Sequence, residues 1–234
     1  MPEEHTMTAD LLHLTEVKAK KGSFELSVPK WRLGPGEVVG LVGPNGAGKS
    51  TTIKMIMGLT IMSEGSLRIF GINAKDLGKN EKSRIGLVPQ ENNFDPDITV
   101  KENLEIYARL YGIRNFEDRI SQISKDLELN LFLNKKTGEL SSGQKNRVSL
   151  AKSLINNPKI LFLDEPTASL DPDIGDFVRS YIENYKSKRD VTILLASHNM
   201  NEIERLCDSI IMMRSGKIVD SGKSEELIKK HGRM

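Results

Sequence analysis

An α/β fold is what this sequence predicts: a mostly parallel sheet, antiparallel strands on its N-terminal side and an inserted helical subdomain. Three observations carry that prediction. Short apolar runs alternate with helix-periodic stretches through most of the 234 residues, the pattern of strands joined by crossover helices. One run, Glu37 to Val42, leads straight into a glycine-rich loop and then a helical stretch. From residue 99 to about residue 157 helix follows helix, and the alternation then resumes.

Taken in order, segments 11–18 and 23–28 read as antiparallel strands leaning on the sheet. Glu37 to Val42 is a buried-strand run, and from Lys49 the apolar residues Ile53, Ile56 and Met57 fall at helical spacing. Ile85 to Val88 is a strand stopped by Pro89. Thr99-Val100-Lys101-Glu102 has the capping-box pattern, with Glu102 placed to reach back to the free N–H at the cap. Val100, Leu104, Tyr107 and Ala108 then share one helical face. A second helical stretch covers roughly 116–128 and a third opens at Ser141. Strands follow near 159–163 and 191–196, with a helix between them and a mixed tail after. The expected organisation is one domain over 1–234, with the helical subdomain at about 91–157 inserted in the α/β core. Trp31 and Cys207 are expected to be packing residues.

Composition narrows the function. The 34 basic residues against 32 acidic leave a charge of +2, which gives no reason to expect a nucleic-acid partner. The longest apolar run, around Ile160 to Leu163, is far short of the roughly 20 residues a membrane helix needs. Met1 to His5 lacks the basic and apolar regions of a secretory leader, and a single cysteine cannot form an internal disulfide. A reducing, cytoplasmic setting is expected, with membranes reached through partners.

The chemistry concentrates in a few short stretches. Gly43-Pro44-Asn45-Gly46-Ala47-Gly48-Lys49-Ser50-Thr51 satisfies the phosphate-cradling pattern G-x-x-x-x-G-K-[ST], and the strand before it and helix after it are the context that pattern requires. The core is therefore read as that of a P-loop NTPase. The glycines bring backbone N–H groups close to phosphates, Lys49 places a positive charge at the β- and γ-phosphates, and the Ser50 hydroxyl is a Mg²⁺ ligand. Asp164 ends the strand Ile160 to Leu163, at the ligand side of such sheets, and is the candidate for binding Mg²⁺ through water. Glu165, next along, is the candidate base that polarises an attacking water. Leu140-Ser141-Ser142-Gly143-Gln144 is a polar turn opening a helix; Ser141 can cap it and aim the positive helix end and the Ser142 hydroxyl outward. A plain N-cap is the ordinary alternative for that turn.

In this order, the motifs resemble the nucleotide-binding subunit of ATP-binding-cassette (ABC) transporters over nearly the whole chain, and are most similar to the export-type group. The resemblance implies an ATPase that uses ATP and Mg²⁺ to power a transporter as a head-to-tail dimer on separate membrane-spanning permease subunits. It implies that Leu140 to Gln144 closes over ATP held by the P-loop of the opposite subunit, an identical copy or a paralogue, with Ser142 and Gly143 touching that nucleotide. Asp171 matches the loop linking the two sites across the interface. Gln90 matches the glutamine that contacts Mg²⁺ and the water, and His198 the switch histidine at the γ-phosphate. The segment Gln90 to Ile113 is expected to supply the permease-docking surface, and a peripheral place on the cytoplasmic membrane face follows. Thr99 to Gly112 and Asn201 to Asp208 are similar to export-type segments. The rivals are an importer subunit and a non-transport relative acting on ribosomes or DNA; the latter usually carries two cassettes, long coiled coils or zinc inserts, which are not seen here, and with the sequence ending soon after Lys229 no added regulatory domain is expected. One departure stands out: where many members carry an adenine-stacking aromatic, Lys20 or Lys21 stands, with Phe24 a possible substitute. Weaker adenine preference, and better competition by GTP, is the expectation.

Overall fold

The computed structural model describes residues 10–91, 94–168 and 170–231. Met1 to His5 and Ser169 of the Ala168–Asp171 loop lie outside the described residues. In chain order the elements are β1 (Leu12–Lys21), β2 (Phe24–Val28), β3 (Trp31–Leu33), β4 (Val38–Val42), α1 (Lys49–Ile56), β5 (Met62–Ile69), β6 (Ile72–Asn73), α2 (Lys79–Lys82) and β7 (Ile85–Val88). Then come α3 (Val100–Leu110), α4 (Phe116–Asp126), α5 (Ser142–Leu154), β8 (Ile160–Asp164), α6 (Pro172–Lys188), β9 (Thr192–Ser197), α7 (Met200–Leu206), β10 (Ser209–Arg214), β11 (Lys217–Lys223) and α8 (Ser224–His231).

β10, β4, β9, β8 and β7 lie side by side in that order and all run parallel. β1, β2, β3, β5 and β6 pair antiparallel at the other end, and β11 joins the two parts by pairing antiparallel with β10 and parallel with β2. β4, β8 and β9 are buried at every position because both faces are covered. In β8, Leu161 and Leu163 face the helical side while Ile160 and Phe162 face the side of α1 and the N-terminal strands. β4 and β9 divide their residues the same way, with Val38 and Ile193 on one face and Val39 and Leu194 on the other. Fully buried Phe162 anchors the second cluster; truncation of such a residue to alanine costs about 3–5 kcal/mol.

Between β7 and β8 the chain is helical, as expected, with short 3₁₀ turns at Leu129–Leu131 and Thr137–Glu139. The capping box forms: Glu102 N donates to Thr99 Oγ1 at 3.2 Å and Thr99 N donates to Glu102 Oε2 at 2.8 Å. Val100, Leu104 and Ala108 are buried while Tyr107 is half-buried. α4 stops at Asp126, two residues before the expected end, because Glu128 turns into the left-handed region at φ 54°. β5 and β6, which the sequence left unassigned, extend the antiparallel edge. Trp31 packs half-buried against the second cluster, and burial against α7 pushes the Cys207 thiol up.

Candidate functional site

Parallel strands β4, β8, β9 and β7 end together at one sheet edge, and each delivers a functional residue there. β4 leads into the P-loop. Gly48 caps α1 at φ 111°, in the left-handed region that glycine adopts freely, and a Cβ at that position would stand 3.1 Å from the Phe24 ring. Lys49 is buried at 6% exposure, its Nζ donating to Gly43 O at 2.7 Å and lying 3.4 Å from Glu165 Oε1. Ser50 Oγ donates to Asp164 Oδ1 at 2.7 Å, joining the start of α1 to the end of β8.

Asp164 is 2% exposed, and burial raises its carboxyl above the usual range; the Ser50 hydroxyl and the Lys54 and Lys49 charges work against that rise, while Glu165 adds to it. Glu165 is held at φ 53°, a conformation an ordinary residue keeps only when its surroundings fix it. Its N–H donates to Ala196 O on β9 at 2.8 Å, and its Oε2 accepts from His198 Nδ1 at 2.8 Å. His198 is exposed, just past the end of β9. A cavity of about 300 Å³ opens over this edge, lined by Phe24, the loop from Asn45 to Thr51, Gln90 and Glu165.

The donor set suits a hard divalent cation. Ser50 Oγ and Asp164 Oδ1 are already in contact, Gln90 lines the same cavity, and all three offer oxygen. Mg²⁺ keeps several waters and takes only one or two carboxylates, with substrate phosphates completing its shell. Ser50, Gln90 and one carboxylate, Asp164, match that requirement.

The structure brings the P-loop, Gln90 and Glu165 to one cavity, with Asp164 joined to it through Ser50 and His198 through Glu165, while Leu140 to Gln144 and Asp171 do not line it. Ser141 caps α5, accepting from Gln144 N at 3.3 Å, and Gln144 Oε1 accepts in return from Ser141 N at 3.0 Å. Ser142 is exposed, whereas Gly143 lies under Ile174 in the first turn of α6, where a Cβ would come within 2.7 Å of Ile174 Cδ1. Asp171 is exposed as the N-cap residue of α6, the helix whose Ile174 covers Gly143.

Sequence reasoning left Phe24 open and missed Asn146, Thr167 and Glu202. Phe24 faces Lys21 across the β1–β2 ladder, which carries its ring to the P-loop. Asn146 Nδ2 donates to Pro166 O at 2.6 Å, tying α5 to the segment after Glu165. Glu202 is buried behind that segment. An Asn or Glu inside a helix gives no periodic signal of such contacts.

The profile of the ABC transporter family matches residues 26–168, more than half of the chain. The chain belongs to the ABC transporter family. Its relatives include a Nod factor export ATP-binding protein I of Burkholderia thailandensis, 42% identical over 83% of this chain and 64% of its own length, and one of Rhizobium etli, 38% identical over 87% and 65%. The chain thus spans just under two thirds of the length of these relatives. Among solved structures, the ATP-binding subunit of an ABC transporter superposes with a TM-score of 0.85 at 27% identity, covering 95% of this chain and 94% of that one. An ATP-binding cassette solved as a dimer in a post-hydrolysis state with ADP and Pi gives 0.80 at 30% identity, covering 91% and 98%. Membership in the ABC family accounts for the sheet edge on which the P-loop, Asp164 and Glu165 meet.

Proposed function

We propose that this chain binds and hydrolyses ATP to power an ABC transporter, an exporter, acting as a head-to-tail dimer on separate membrane-spanning subunits. One observation carries the catalytic reading: Glu165, buried at 8% exposure, is held between Lys49 Nζ at 3.4 Å and His198 Nδ1 at 2.8 Å at the mouth of the P-loop cavity. Phosphoryl transfer to water needs the phosphate charge held and a water aimed in line. The loop from Gly43 to Thr51 and Lys49 hold the polyphosphate, Glu165 polarises the water, and His198 orients Glu165 and the γ-phosphate. Mg²⁺ held by Ser50, Gln90 and Asp164 supplies neutralisation of the phosphate charge. Leu140 to Gln144 and Asp171 serve the opposite subunit's nucleotide, a reading supported by the exposed Ser141, Ser142 and Asp171, which lie away from this chain's own cavity.

The organisation proposed is one ABC ATPase domain over 1–234, with its helical subdomain at about 91–157. A mostly apolar groove of about 490 Å³ runs between the two parts, lined by Met57, Leu77, Leu87, Tyr107 and Tyr111 among others. On the same helix Ile106 and Leu110 are exposed. Such a surface fits a permease segment, and no helix among the described residues is long and apolar enough to cross a membrane itself. Export is proposed from the names of the relatives, and the location proposed is the cytoplasmic membrane face. A partner cassette, identical or paralogous, completes the dimer, and nucleic acid is not an expected partner.

The test is ATP hydrolysis by Glu165→Gln. Removal of a general base lowers turnover by about a hundredfold or more, with ATP binding retained; unchanged turnover discards the assignment. Isolation of the tagged protein from detergent-solubilised membranes tests the assembly. Recovery of a multi-span protein supports the transporter, and recovery of ribosomal or DNA-repair components alone overturns it.

A further inference from the structure

Glu202 is the third residue of α7, the position from which a glutamate ordinarily reaches back to cap its own helix. Here it does not. Asn199 caps α7 instead, its side chain accepting from Asn201 N at 3.0 Å. Glu202 turns inward and is 1% exposed. One carboxyl oxygen accepts from Thr167 Oγ1 at 3.0 Å, and the other accepts from Ser197 Oγ at 2.5 Å. Ser197 in turn accepts from Asn199 N at 3.0 Å. Among the described residues no ion pair to Glu202 is present, and burial raises its carboxyl above the usual range against the pull of both hydroxyls. A buried carboxyl with no ion pair is costly even with the Arg179 charge working to lower it, so its neighbours suggest what it does there.

Those neighbours are informative. Thr167 lies two residues after Glu165, and Ser197 immediately precedes His198. Glu202 therefore grips, with one oxygen each, the two strand-end segments whose side chains meet in the His198–Glu165 contact. The Glu165 backbone at φ 53° is the kind of conformation that persists only where several contacts fix it. We propose that Glu202 is a positioning residue for ATP hydrolysis: by bridging Thr167 and Ser197 it fixes the separation and orientation of Glu165 and His198. The inference rests on the proposed role of Glu165 as the base. A misplacement of about 1 Å in a reacting group can cost on the order of a hundredfold in rate, so a lock of this kind acts on turnover and leaves the P-loop's hold on nucleotide intact.

The experiment measures kcat and KM for Mg-ATP hydrolysis by the purified full chain, affinity for a non-hydrolysable ATP analogue, and thermal melting, for Glu202→Ala, Glu202→Gln, Thr167→Val and Glu165→Gln. The expected result is a fall in kcat of about tenfold or more for Glu202→Ala, with analogue affinity changed less than about threefold. Glu202→Gln keeps the shape and a hydrogen-bonding head against two hydroxyls that can donate or accept, and recovers most of that loss. Thr167→Val removes one hydroxyl at constant shape and lowers kcat even if Glu202→Ala does not fold. A merely structural role would lower the melting temperature of Glu202→Ala and Thr167→Val while kcat per nucleotide-binding site, measured well below melting, stays at the parent value. That result overturns the proposal. Loss of hydrolysis in Glu165→Gln beside full kcat in Glu202→Ala and Thr167→Val sinks the positioning role alone; full hydrolysis in Glu165→Gln sinks the base assignment beneath it.

Discussion

Lys49 has a backbone carbonyl at 2.7 Å and the Glu165 carboxylate at 3.4 Å, so its ammonium is already directed to the mouth of the loop where phosphates are cradled. Replacing it with alanine removes the charge and leaves Glu165 buried without its cation; Lys49→Ala is expected to weaken ATP binding at least about tenfold, since hydrogen bonds to charged groups contribute roughly 1.5–3 kcal/mol. Titration with a fluorescent ATP analogue reads this directly. Phe24 is the residue that changes the expectation about base selectivity. Lys20 and Lys21 stand where an aromatic is often found, yet the Phe24 ring lines the nucleotide cavity from the neighbouring strand. Stacking on an aromatic contributes about 1–3 kcal/mol per base. Phe24→Ala is expected to weaken ATP and GTP binding alike by roughly tenfold, because every base has a π-face; a competition assay in which the variant affects ATP alone would contradict a stacking role.

At the scale of elements, the helix ends do the aiming. α3 starts at a complete capping box, with Tyr107 and Tyr111 along the groove and Leu110 exposed beside them. Thr99→Ala removes the side-chain acceptor for Glu102 N and is expected to cost about 1 kcal/mol in chemical denaturation. The Thr99 N–H and then its hydroxyl hold the Glu102 carboxyl below its usual range. A lowered folded-state value contributes stability above the unfolded value, lost as pH falls through the folded one. The difference in stability between the parent and Glu102→Gln should therefore shrink on acidification through the carboxylate range. α5 is held at its far end too, where Arg119 donates to Leu154 O at 2.6 Å and Ile155 O at 3.3 Å. With both ends fixed, the Ser142 hydroxyl is presented on a rigid helix start.

For the molecule as a whole, the proposed Mg²⁺ role of Asp164 and stability pull against each other. Burial raises its carboxyl, so its contribution runs in the sense opposite to Glu102: stability is fully present below the unfolded value and lost as pH rises through the folded one. Asp164→Asn is expected to raise the melting temperature at neutral pH by roughly 2–4 °C, about 1 kcal/mol for a chain of this size, while Mg²⁺-dependent hydrolysis is lost. A variant that melts lower than the parent counts against the burial argument. The proposed permease docking rests on the groove and on the exposed residues of α3 beside it. Leu110, 62% exposed, changed to Asp should reduce recovery of the membrane partner without altering basal hydrolysis; equal recovery would place docking elsewhere.

The sequence alone determined the α/β class, the P-loop, the Asp164–Glu165 pair at a strand end and the capped helices, because each is written in adjacent residues. Glycine spacing, a two-faced apolar strand and a Thr-x-x-Glu cap report local backbone preferences, and here those preferences agree with the fold. Only tertiary structure decided which distant residues meet. β4, β8 and β9 are separated in the chain by well over a hundred residues between the first and last, yet their ends lie side by side. That adjacency brings Ser50 to Asp164, His198 to Glu165, and Glu202 to both Thr167 and Ser197. The pairing of β2 with β11 likewise sets Phe24 beside the loop. A hydrogen bond between residues far apart in the chain leaves no periodic trace, and a buried glutamate in a helix reads like an exposed one until the strands it rests on have been packed.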